Sequence, residues 1–166
     1  FGKTNVQGLY AIGDVCGPPW LAHKAMHEGV IVVEGIAGQT PKHKFDPWNV
    51  PGCTYSHPQV ASVGMTEEAA KKTGRKLKVG KFPFSANGRA RTSGETEGFV
   101  KIIRDEKFGE ILGAHICGAH ATELIHEIAV ARENEYTVEE IDLAVHAHPT
   151  LSEAIAEAVL DSMGKM

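Results

Sequence analysis

The pattern Phe99 to Arg104, then Asp105-Glu106-Lys107-Phe108-Gly109, then Glu110 to Cys117 constrains the fold more than any other stretch. Two β-type apolar runs flank a polar five-residue loop that ends in glycine, which predicts an antiparallel hairpin. Upstream, Cys53 to Ser56 and Gln59 to Gly64 read as two strands around His57-Pro58, and Leu77 to Phe84 as a third. Thr66 can cap a short helix over Glu67 to Lys72. Downstream the period changes, and helices are expected over Ala121 to Asn134, Val138 to Ala144 and Leu151 to Met163. Strands first and helices last predict an α+β domain, an antiparallel sheet with flanking helices.

The first fifty residues follow another rule. Residues 5–12 are apolar and close on Gly13-Asp14, as a buried strand would, and Leu21 to Ala37 carries apolar residues at helical spacing before Gly38 and Pro41. A lone strand and helix leave the strand's edges unpaired, so this segment implies neighbours elsewhere. Pro41, Pro47 and Pro51 give Thr40 to Gly52 the composition of a linker. The division expected is 1–49 and 50–166.

The chain has 166 residues, 42% of them hydrophobic, and can bury about 70% of its unfolded surface. Lys and Arg total 17 against 21 Asp and Glu, so there is no positive field to gather phosphate backbones, and nucleic acid is excluded as an expected partner. The longest apolar run, Gly29 to Val33, is too short to span a membrane. Cys16, Cys53 and Cys117 are odd in number and widely spaced, which suits structural thiols in a reducing compartment. His23 and His27 lie one helical turn apart without the glutamate of the zinc-protease pattern, and no metal site is expected. The basic cluster Asn87-Gly88-Arg89-Ala90-Arg91 reads as a solvated turn.

Chemistry concentrates in His146-Ala147-His148-Pro149-Thr150-Leu151-Ser152-Glu153. An amphipathic helix starts immediately afterwards, with Leu151, Ala154, Ile155, Ala158 and Val159 on one face. Thr150 and Glu153 have the spacing of a capping box, so Glu153 could serve only backbone amides. Alternatively Glu153 accepts a hydrogen bond from one ring nitrogen of His148 and leaves the other as a base. An imidazole, titrating near ~6.5, lies within reach of a thiol near ~8.5. His146 is the more structural histidine of the two.

This segment, followed by Ala154-Ile155-Ala156-Glu157-Ala158, resembles the closing signature of the dihydrolipoyl dehydrogenases, flavin-dependent disulfide oxidoreductases. The resemblance implies a catalytic base at His148 and an orienting carboxylate at Glu153. Glutathione reductases share the His-Pro-Thr core but usually carry a second Ser where this chain has Leu151. A second likeness covers Gly8-Leu9-Tyr10-Ala11-Ile12-Gly13-Asp14 and Trp20-Leu21-Ala22-His23-Lys24-Ala25, which resemble the family's second flavin-binding signature. Gly13, Asp14, Trp20, Leu21, Ala22 and His23 are thereby implied in FAD contact, with Trp20 standing where a smaller residue is expected.

The likeness makes residues 1–49 the end of an FAD-binding domain and 50–166 the interface domain of a homodimer. It also implies NAD as acceptor, and as partner the lipoyl domain of a 2-oxoacid dehydrogenase or glycine cleavage complex. The compartment implied is the cytoplasm in a bacterium or the mitochondrial matrix in a eukaryote. No Gly-x-Gly-x-x-Gly and no Cys-x4-Cys occurs, so the nicotinamide site and the redox disulfide are expected on further sequence, and this portion alone is expected to be inactive. Two alternatives stay open: another disulfide reductase of the glutathione or mercuric type, and a dimerisation module whose His148 and Glu153 only shape a helix start.

Overall fold

A computed structural model describes residues 2–40 and 45–166, which fall into two compact units, Phe1–Val50 and Pro51–Met166. In the first unit a 3-10 turn at Gly13–Cys16 precedes helix α1 (Ala22–Ile36). Residues 5–12 do not form the buried strand expected of them. They make a short loop closed by a single bridge between Lys3 and Tyr10, and Val6 and Leu9 are exposed. An apolar run states what a sheet would accept, but a strand exists only where a neighbour supplies a ladder, and the described residues of this unit supply one bridge. Residues 41–44 of the expected linker lie outside the described residues; Pro47–Asn49 forms a 3-10 turn whose start Asp46 caps through the Trp48 N–H at 2.9 Å.

The second unit contains β1 (Gly52–Thr54), β2 (Gln59–Gly64), α2 (Glu67–Lys72), β3 (Leu77–Pro83), α3 (Gly88–Ser93), β4 (Phe99–Asp105), β5 (Ile111–Gly118), α4 (Ala121–Glu133), α5 (Val138–Leu143) and α6 (Glu153–Met163). The five strands form one antiparallel sheet in the order β1-β2-β5-β4-β3. The expected hairpin pairs Phe99 with Cys117 and Ile102 with Ala114, with a bulge between Ile103 and Arg104. Thr66 caps α2 as expected, its hydroxyl accepting the Ala69 N–H at 3.2 Å.

Helices α4 and α6 cover one face of the sheet, α4 over β2 and β5 and α6 over β3 and β4. Between them lies the main core, including Val63, Phe84, Val100, Ile102, Ile116, Ile125, Ile128, Ile155 and Val159. Adjacent residues of a strand face opposite ways, so Ile103 belongs to a smaller cluster with Ala70 and Leu112. Helix α6 buries Ala154, Ile155, Ala158, Val159 and Ser162, the stripe its sequence predicts. Full burial of Ile155 and Val159 contributes about 1.5–3 kcal/mol each. The helix also lies hard against the β3 backbone at Gly80, where a Cβ would run into the Ala158 carbonyl and Ser162. Asp161 accepts the Lys81 N–H at 2.7 Å and the Ser162 carbonyl accepts from Arg104 Nε at 3.1 Å. These contacts hold the second half of α6 against β3 and β4.

The cluster at Asn87 to Arg91 is not a solvated turn. It starts α3, and Asn87 is buried because its side chain caps that helix, accepting the Ala90 N–H at 2.9 Å.

Candidate functional site

Helix α6 opens at Glu153, five residues after His148, and the Glu153 carboxylate divides its two oxygens between different tasks. Oε1 lies 2.8 Å from His148 Nδ1, and Oε2 accepts the Thr150 N–H at 2.7 Å. Only one half of the expected capping box is present, because the Thr150 hydroxyl turns away to donate to the Ala147 carbonyl at 2.7 Å. The two readings of Glu153 offered by the sequence therefore describe one arrangement.

A carboxylate can only accept, so the hydrogen bond places a proton on Nδ1 of His148 and leaves Nε2 with its lone pair when the ring is neutral. Nε2 has no partner among the described residues, and the His148 side chain is 78% exposed against 25% for Glu153. The Thr150 N–H, then the His148 ring, holds the Glu153 carboxyl below the usual carboxylate range, with His146 adding a smaller attraction. The carboxylate thus stays ionised and keeps the imidazole in one orientation.

The turn that carries His148 is pinned from both sides. His146 Nε2 meets Glu127 of α4 at 2.8 Å, and its Nδ1 lies 3.1 Å from the Ala144 carbonyl. Both ring nitrogens of His146 are thus engaged within the chain. Asn87 Nδ2 donates to the Thr150 carbonyl at 3.1 Å, so one amide caps α3 and ties the turn down. The sequence reading missed this role of Asn87. Its signal was present: Asn preceding a short helical run is a cap pattern. Beside the turn, Leu143 and Val145 are fully or largely exposed.

In the first unit, Asp14 and Trp20 are exposed, Gly13 is buried with a φ of 74°, and α1 begins at Ala22 after Leu21, which provides no side-chain cap. An exposed carboxylate and an uncapped helix start, which carries His23, therefore border the same short stretch. Two residues that the sequence reading left without a role are central to it. Lys24 is 3% exposed and donates to the carbonyls of Gly13 at 3.0 Å and Gly17 at 2.9 Å, while Glu28 accepts the Gly13 N–H at 2.7 Å and pairs with Lys24 at 3.0 Å.

Cys16, Cys53 and Cys117 are all unpaired thiols, and burial, then Glu123, pushes the Cys53 thiol up. Among the described residues no helix is long and apolar enough to cross a membrane.

A five-stranded antiparallel sheet backed by helices, with a carboxylate-held histidine at the mouth of its last helix, is the architecture of an α+β domain that presents an oriented imidazole at its surface. Residues 50–159 match the family described as pyridine nucleotide-disulphide oxidoreductase, dimerisation domain, and the chain belongs to that family. The dihydrolipoyl dehydrogenase of Rhizobium etli is 57% identical over 166 residues, covering 100% of this chain and 34% of that protein. The mitochondrial dihydrolipoyl dehydrogenase of Pisum sativum is 51% identical over 163 residues, covering 98% of this chain and 32% of that protein. The crystal structure of LpdA from Mycobacterium tuberculosis superposes with a TM-score of 0.88 at 30% identity, covering 95% of this chain and 34% of that one. The chain thus spans about a third of the length of the curated relatives it matches.

Proposed function

We propose that this chain is the carboxyl-terminal portion of a dihydrolipoyl dehydrogenase, in which residues 50–166 make the homodimer interface and supply the His148–Glu153 pair to the partner subunit's redox disulfide. The observation that carries this reading is the divided carboxylate of Glu153, which orients His148 while its Nε2 faces outward. His148 Nε2 would take the proton from a lipoyl thiol as the resulting thiolate attacks the disulfide, and Glu153 would favour the imidazolium so formed. One active site then needs two chains. The substrate would arrive on the lipoyl domain of a 2-oxoacid dehydrogenase or glycine cleavage complex, in the cytoplasm of a bacterium or the matrix of a mitochondrion. Leu151, half-buried against the main core where glutathione reductases usually carry a second Ser, favours the lipoyl reading over the glutathione one.

Residues 1–49 would close the FAD-binding domain. The donor set fits that group: the exposed Asp14 carboxylate can accept from a ribityl hydroxyl, and the uncapped start of α1, flanked by Trp20, Leu21, Ala22 and His23, offers main-chain amides to an electron-rich ring. When bound, FAD would carry electrons from the disulfide toward NAD. The three unpaired thiols of this chain are not in a redox-pair spacing, so the disulfide and the NAD site are assigned to other parts of the full-length protein.

In the full-length protein, His148→Gln should lower the rate of dihydrolipoamide oxidation by about 10²- to 10⁴-fold, the usual contribution of a positioned base, with the dimer intact by sedimentation. Near-normal turnover would refute the assignment.

A further inference from the structure

Lys24 presents an unusual expense for a turn of four residues. Its ammonium is 3% exposed, and its three protons have three acceptors: the Gly13 carbonyl, the Gly17 carbonyl and Glu28 Oε1. Glu28 Oε2 takes the Gly13 N–H. The pair therefore grips the residue before Asp14 by both its N–H and its C=O, and holds the far end of the turn through Gly17. Gly13 has a φ of 74°, and a Cβ there would lie 3.2 Å from that of Ala25, so the position suits glycine, the residue with the most backbone freedom to be held. Two apolar side chains of similar volume could hold α1 against the turn at no desolvation cost, but they could not fix the direction of three peptide groups. The exposed Asp14 carboxylate leaves the chain from this held segment, between the two carbonyls that Lys24 binds.

We propose that Lys24 and Glu28 are positioning residues for flavin binding: an internal ion pair that sets the backbone of Gly13–Cys16 and so aims Asp14 at the cofactor. The inference rests on the reading that Asp14 contacts FAD. Neither residue touches the cofactor in this scheme; both act through the turn. Groups that orient a binding residue from behind are worth on the order of 10- to 100-fold in affinity at metal sites, and a loss of about tenfold is expected here.

The test is FAD titration of the flavin-depleted full-length dimer, followed by flavin fluorescence, alongside thermal unfolding of the same flavin-free protein. Lys24→Met should weaken FAD binding about tenfold or more at a temperature where the flavin-free dimer is still folded, although it will unfold earlier than wild type because Glu28 and two carbonyls lose their partner. Glu28→Gln keeps an acceptor for the Gly13 N–H but loses the charge facing Lys24; it should weaken binding less, and it serves as the test if Lys24→Met does not fold. Binding by either folded variant within about twofold of wild type would overturn the clamp. Asp14→Ala, measured in parallel, separates the two ideas. If it weakens binding by about tenfold or more while Lys24→Met and Glu28→Gln both stay within about twofold of wild type, the clamp fails and the Asp14 contact stands. If Asp14→Ala binds FAD like wild type, the contact itself fails and the clamp falls with it.

Discussion

Replacing Asn87 by Ala should cost the protein about 2–3 kcal/mol, a value that follows from two hydrogen bonds made by one buried side chain. Asn87 is 3% exposed; its Oδ1 accepts the Ala90 N–H at 2.9 Å and its Nδ2 donates to the Thr150 carbonyl at 3.1 Å. Losing the cap of α3 costs about 1 kcal/mol. Leaving the partly buried Thr150 carbonyl without its donor costs about 1–2 kcal/mol more. Asn87→Ser separates the terms, because a serine can still cap α3 but is too short to carry the amide donor, and about half the loss should return. The measurement is urea unfolding of the full-length protein at one fixed concentration, since subunit association shifts apparent stability. A loss under about 0.5 kcal/mol for the alanine variant, or equal losses for alanine and serine, would show that Asn87 does not bridge α3 to the turn.

Two further outcomes concern the same helix. Because Glu153 is held below the ordinary carboxylate range, its contribution to stability is complete above about pH 4.3 and is lost as pH falls through its lowered folded-state value; Glu153→Gln should flatten the melting-temperature profile in that acid window, and an unchanged profile would exclude the linkage. Gly80→Ala should destabilise by about 1–3 kcal/mol or more in the same urea assay, because the new methyl meets Ala158 and Ser162 of α6; a neutral result would mean that α6 does not rest on β3 as described.

The antiparallel hairpin and the order of its strands were legible because each signal was local: a β-type apolar run in Phe99 to Arg104, a glycine-ended loop, a threonine ahead of Glu67. The pairing of His148 with Glu153 was legible too, since both lie within six residues, although the sequence set helix capping and imidazole binding against each other when one carboxylate performs both. What could not be read depended on distant chain. The Asn87 amide reaches Thr150 across 63 positions, and the Lys81 N–H reaches Asp161 across 80. Neither spacing has a periodic signature. Residues 5–12 failed for the converse reason, since their local pattern is strand-like but a strand is a property of two segments. Lys24 was passed over because a lysine in a helix is ordinarily a solvated charge, and only the positions of two carbonyls upstream make it an interior one.

The divided carboxylate at the start of α6 also limits how such a sequence can drift. A substitution at position 153 that released the ring would at the same time uncover the Thr150 amide, so loss of the ring's orientation and loss of the helix start arrive together. A shorter Asp could not be expected to span both partners, and Gln could accept one bond but would present a donor to the other. The two tasks have no independent single-step route to change. Reorienting the imidazole therefore has to come from the residues around the pair, and the pair itself behaves as one heritable unit.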